Sequence, residues 1–116
     1  MHHQKIYLKF LSLIQTTESK GELAALDSDA KRLLEIIAVR HFLGQQTTIS
    51  DAMGLKSIAS PATLHRKIDA LRGLSLLETY FEGKNKRTKY LRPTDQADQY
   101  FSMLGQLMET AGVTAV

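Results

Sequence analysis

Ser60-Pro-Ala-Thr-Leu-His-Arg-Lys-Ile-Asp-Ala-Leu-Arg-Gly73 decides the reading of this chain, because it is one short helix with an explicit beginning. Ser60 suits the N-cap, where its hydroxyl accepts a backbone N–H that the first turn leaves unpaired. Pro61 follows at the first helical position, where its missing N–H costs nothing. Leu64, Ile68 and Leu71 recur at i, i+4 and i+7 and form one apolar stripe. Ala62, Arg66 and Asp69 project from the opposite face, with Thr63 and His65 on its flanks. A helix anchored by one stripe and showing small, hydroxylated and basic groups outward is what a major groove accepts. An ordinary surface helix has the same pattern, so its neighbours have to decide.

Upstream, Thr48-Ile-Ser-Asp51 has the form of a capping box and starts a short helix over 48–53, closed by Gly54. With residues 54–59 as the turn, the two helices make a helix-turn-helix. Downstream, Ser75 to Glu82 alternates and is rich in β-formers, Gly83-Lys-Asn-Lys86 is a turn, and Arg87 to Arg92 returns as a strand. This hairpin, over about 76–92, carries Lys84, Lys86, Arg87, Lys89 and Arg92. A basic hairpin directly after a helix-turn-helix reads as a wing that reaches a phosphate backbone or a minor groove. Pro93 is expected to break the strand and Thr94 to cap the next helix.

The flanking segments complete an architecture that is mainly α with a β-hairpin wing: a single winged helix-turn-helix domain over 1–116 with extra N- and C-terminal helices. Asp27-Ser-Asp29 opens a core helix over 27–42 that turns Ala30, Leu33, Leu34, Ile37, Ala38 and His41 or Phe42 inward, and Gly44 ends it. Residues 16–26 read as a loop. Terminal helices over about 4–17 and 94–108 carry more apolar surface than so small a core requires, and 111–116 reads as a frayed end. That surplus assigns Ile6, Tyr7, Phe10, Leu11, Ile14, Tyr100, Leu104, Leu107 and Met108 to a homodimer interface.

The chain has 116 residues, a formal charge of +3 and no cysteine, which removes disulfides and thiolate metal sites. The apolar run from Ile6 to Ile14 is interrupted by Lys9 and is too short to span a bilayer, so a cytoplasmic protein with no membrane partner is expected. Residues 1–55 balance six bases with six acids, whereas 56–92 hold nine bases against Asp69, Glu78 and Glu82. Charge concentrated on the reading helix and the hairpin is a polyanion-binding footprint. No phosphate-cradling glycine loop, metal-ligand spacing or nucleophile–base constellation is present, so neither catalysis nor a cofactor is expected.

The order of these elements and several of their residues resemble the MarR family of bacterial winged-helix regulators. The likeness runs from about Leu26 to Leu107. It rests on Leu26-Asp-Ser at the start of the core helix, Thr48-Ile-Ser-Asp-Ala-Met-Gly-Leu, Ser60-Pro-Ala-Thr-Leu-His-Arg-Lys-Ile-Asp-Ala-Leu, and Asn85-Lys-Arg-Thr-Lys followed by Pro93-Thr94. This chain departs from the family in having Ser75 where glycine is usual, Asn85 for a wing aspartate, and Ala97 where glycine often follows. The resemblance implies a dimeric transcriptional regulator that binds double-stranded DNA, with residues 60–72 in the major groove. The implied DNA-contacting set is Thr48, Ser60, Pro61, Ala62, Thr63, His65, Arg66 and Lys67, with Lys84, Lys86, Arg87 and Lys89 on the wing. A winged-helix protein-interaction module and a sequence-independent DNA-binding protein remain alternatives on the residues alone. No residue pattern defines a small-molecule effector site.

Overall fold

Leu33, Leu34 and Ile37 of the core helix, Leu64 and Leu71 of the reading helix, and Leu91 of the sheet are almost wholly withdrawn from solvent, and they mark the centre of the fold. The computed structural model describes residues 2–18 and 26–114. The elements are α1 (His2–Glu18), α2 (Ser28–Phe42), β1 (Thr47–Thr48), α3 (Ile49–Met53), α4 (Pro61–Gly73), β2 (Leu77–Tyr80), β3 (Tyr90–Pro93) and α5 (Asp95–Thr114). The architecture is the expected one, mainly helical with a winged helix-turn-helix. By its internal contacts the described chain clusters into two units, residues 27–98, and residues 2–18 and 26 with 99–114. A twenty-residue helix runs about 30 Å, so α5 can begin in one unit and continue into the other.

In the winged unit, local chemistry sets each helix end. Asp27 caps α2 by accepting the Ala30 N–H at 2.8 Å. The far end closes as a Schellman motif: Gly44 donates to His41 O and Gln45 donates to Arg40 O, with Gly44 at φ 78°. In the last turn of α2 neither His41 nor Phe42 is inward as expected. Both are exposed, Phe42 by 86%. Thr48 and Asp51 exchange both bonds of the capping box at the start of α3. Ser60 caps α4 through the Thr63 N–H, and Leu64, Ile68 and Leu71 form its buried face. Burying side chains of this size stabilises the fold by about 1.5–3 kcal/mol each. α2 packs against both α4 and β3, and α3 packs against α4.

The sheet has three antiparallel strands in the order β1-β3-β2, with Thr47 opposite Leu91 and Thr79 opposite Leu91 on the other side. β1 is an addition to the expected hairpin, since two residues carry no periodicity from which a strand can be read. Its buried Thr47 hydroxyl accepts from Arg40 Nε at 2.7 Å, which ties it to the end of α2. The strands are also shorter than expected, and residues 81–89 form an open wing loop. Gly83, at φ 54°, and an Asx turn in which Asn85 accepts the Arg87 N–H reverse the chain gradually. Pro93 does not break β3 but is its last residue, opposite Leu77 and buried. Proline is accommodated at a strand end, where no ladder N–H is required. Thr94 caps α5 by accepting the Ala97 N–H, while its own hydroxyl donates to Ser75 O at 2.5 Å.

The second unit contains α1 and the greater part of α5. α1 begins at His2 and continues through Thr16 and Thr17, whose hydroxyls donate to the carbonyls of Ser12 and Leu13. Of the expected loop over 16–26, residues 19–25 lie outside the described residues. α5 does not stop near Met108 or fray from Ala111; it is helical to Thr114, and Ala111 is fully buried. The last two residues of the expected frayed end also lie outside the described residues.

Candidate nucleic-acid interface

The outward face of α4 is a hydrogen-bonded row. Ser60 Oγ donates to Thr63 Oγ1 at 3.1 Å, and Arg66 Nη2 donates to the same oxygen at 3.1 Å. Ser60, Pro61, Ala62, His65 and Arg66 are exposed and Thr63 is half-buried. One turn further on, His65 Nδ1 lies 3.3 Å from Asp69 Oδ2. Because the stripe behind this face is at most 3% exposed, the helix cannot roll without uncovering it. The polar row is therefore held in one orientation.

The wing supplies the second part of the surface. Lys84, Lys86, Arg87 and Lys89 are all exposed. Lys86 sits 5.4 Å from the centre of the Phe81 ring, a cation–π placement that holds the charge near the loop. Phe81, Lys86, Arg87, Thr88 and Lys89 line a cleft of about 380 Å³ together with Thr48, Ile49 and Ser50 of the helix-turn-helix. The Ile49 N–H donates to Lys89 O at 3.4 Å and joins the two walls. Gln46 steadies the loop's beginning, donating to Glu82 Oε2 at 2.7 Å. Phe81, Ser50 and Gln46 had no motif to mark them, whereas Asn85 two residues before Arg87 is a legible Asx-turn signal.

Three basic or hydroxyl groups expected at the surface are engaged within the fold. Lys67 is bound to Asp27, the cap of α2, and its side chain is only 26% exposed. The bond from Lys67 is the main cause holding the Asp27 carboxyl below its ordinary pKa, with the Ala30 N–H adding to it. Arg92 pairs with Glu78 at 3.2 Å and stacks on the Tyr80 ring. Thr48 uses its oxygen and its N–H in the capping box, where the bond from the Thr48 N–H lowers the Asp51 pKa most. Lys67 and Arg92 are thus poorer phosphate ligands than their charge suggests.

No protein-family model matches the sequence, and no curated protein sequence does either. Solved structures do match. A MarR-like transcriptional regulator from Thermotoga maritima aligns over 93% of this chain and 76% of its own, with a TM-score of 0.63 and 13% identity. MepR of S. aureus, in a DNA-binding conformation, aligns over 100% and 85%, with a TM-score of 0.54 and 15% identity. A mutant of ZitR from Lactococcus lactis aligns over 78% of this chain at 18% identity, with a TM-score of 0.53, and the match spans 57% of the ZitR chain.

The fold is MarR-like.

Within this MarR-like frame, Ser75 occupies the turn leaving α4 with φ 59°, the left-handed conformation that glycine adopts without strain. In the second unit, Ile6, Phe10, Leu11, Ile14, Tyr100, Leu104 and Leu107 are half-buried, while Tyr7 and Met108 are 59% and 58% exposed. Ile6, Tyr7, Phe10 and Met108 meet, with His3, around an apolar pocket of about 180 Å³. Among the described residues, no group of three His, Asp or Glu side chains is placed to hold a metal ion, and no helix is long and apolar enough to cross a membrane.

Proposed function

We propose that this chain is a sequence-specific, double-stranded-DNA-binding transcriptional regulator that works in the cytoplasm as a homodimer. Residues 60–72 enter the major groove, and the wing over 83–89 meets the backbone or the minor groove. The observation that carries this reading is the Ser60–Thr63–Arg66 row, exposed on a helix whose opposite stripe is completely buried. Ser60, Pro61, Ala62, Thr63, His65 and Arg66 form the groove face, and Thr48 lies at the edge of the wing cleft. Arg66 is suited to the two acceptors of guanine, and Lys84, Lys86, Arg87 and Lys89 act as phosphate-directed charges. The exposed apolar surface of Tyr7 and Met108 supports association through the terminal helices.

Fluorescence anisotropy with labelled random duplex DNA at several salt concentrations tests the reading. Four wing cations predict a log–log salt slope of about −4 or steeper. Absence of binding at low salt would overturn the assignment. In the same assay Lys86→Ala weakens all sequences alike and flattens the slope by about one, whereas Arg66→Ala costs about 1–3 kcal/mol on a selected site only.

A further inference from the structure

Helical threonines in this chain usually spend their hydroxyl proton on their own backbone. Thr16, Thr17 and Thr110 each donate to the carbonyl four residues earlier. Thr63 does otherwise. Its Oγ1 accepts twice, from Ser60 Oγ and from Arg66 Nη2, and Ser60 Oγ in turn accepts the Thr63 N–H. A hydroxyl has one proton and two acceptor positions, so both acceptor positions of Thr63 are filled. Whichever way the Ser60–Thr63 bond is oriented, one hydroxyl proton of this pair has no acceptor among the bonds of α4. The adjacent Arg66 guanidinium keeps its remaining donors. The N-terminal half of α4 therefore offers a free hydroxyl proton and the guanidinium donors of Arg66 around Thr63, with three of the four acceptor positions of the two hydroxyls filled.

We propose that Thr63 is a positioning residue that pre-sets Arg66 for guanine. This rests on the DNA-binding reading above and names the base that the reading helix selects. In the major groove guanine presents two acceptors, N7 and O6, whereas adenine presents an acceptor beside a donor. The Arg66 guanidinium, which has donors and no acceptor, matches guanine, and on adenine it would face the amino group with another donor. Thr63 contributes its oxygen, which is held by the Ser60 hydroxyl on one side and anchors Arg66 Nη2 on the other. Anchoring one guanidinium nitrogen removes much of the freedom that a long arginine would otherwise lose on binding.

The test uses the full chain. A binding site is first selected from a random-sequence duplex pool, and each base pair is then varied. The wild type is expected to require a G·C pair at a position where Arg66→Ala relaxes the preference. Thr63→Val keeps the shape but removes the hydroxyl; it is expected to reduce the preference at that same base pair by about tenfold and to leave the salt slope unchanged. Thr63→Ser is expected to stay within about twofold of the wild type, as it restores the oxygen. Melting temperatures confirm that both variants are folded. Equal weakening of Thr63→Val on the guanine site and on its substituted versions would overturn the proposal, making Thr63 a phosphate contact. An unaltered Thr63→Val profile would overturn it as well. If the wild type binds no duplex at all, the DNA-binding reading itself falls, which is a different result from either.

Discussion

α4 and α1 both carry an apolar face at helical spacing, and the structure treats the two faces differently. On α4 the stripe of Leu64, Ile68 and Leu71 is at most 3% exposed. On α1 no described side chain is buried, and Tyr7 and Leu8 are 59% and 52% exposed; on α5, Met108 and Val113 are 58% and 78% exposed. Periodicity shows that a helix has a face to cover, but not whether its own chain covers it. In the winged unit three helices and a sheet surround one set of leucines. The terminal-helix unit retains exposed apolar surface, which is the property expected of an element that associates with a second copy.

Substitutions in the two units would break or sharpen that contrast. The largest effect belongs to Leu71→Ala, which opens a cavity at a wholly buried position and is expected to cost about 2–5 kcal/mol in urea unfolding. Met108→Ala, in protein dilute enough to be monomeric, is expected to stay within about 0.5 kcal/mol. Comparable losses would mean that the two faces are equally well packed. Next comes Phe10→Asp, which places a charge in the proposed association surface. It is expected to weaken self-association by about tenfold or more, read as a fall in mass by light scattering. A mass that does not depend on this substitution would remove α1 from the interface.

The caps are smaller contributors, and they lie in the winged unit. Thr48→Val removes the hydroxyl of the capping box and is expected to cost about 1 kcal/mol. The Asp51 and Asp27 carboxyls, both held below their ordinary pKa, add a dependence on pH whose sign is determined. Each binds its proton more weakly in the folded chain than in the unfolded one. Their stabilisation is therefore complete above the ordinary value of 3.8 and is lost as pH falls through the lower folded values. Asp27→Asn with Asp51→Asn is expected to flatten melting temperature against pH below about 4. An unchanged acid limb would show that other carboxylates control it. The smallest effect is a gain: Ser75→Gly relieves a left-handed conformation and is expected to raise stability by up to about 1 kcal/mol. A loss would show that the bond from Thr94 to Ser75 O depends on the serine.

By itself the sequence determined the parts whose energetics are local. The Ser60 cap, Pro61 at the first turn, the Leu64–Ile68–Leu71 stripe, the Thr48–Asp51 box and the Asp27 cap each involve groups within a few residues, so spacing alone identifies them. The exposed Ser60–Thr63–Arg66 face was legible for the same reason. Only the tertiary structure could decide what distant segments do to one another. Lys67 reads as a free cation until Asp27, forty residues away, takes it up. β1 has no pattern of its own and exists because β3 offers it an edge. Pro93 reads as a strand breaker until its place at the end of β3 shows that no N–H is needed there. Local preferences are encoded residue by residue, whereas a pairing between remote segments forms only once the chain has folded and brought the two together.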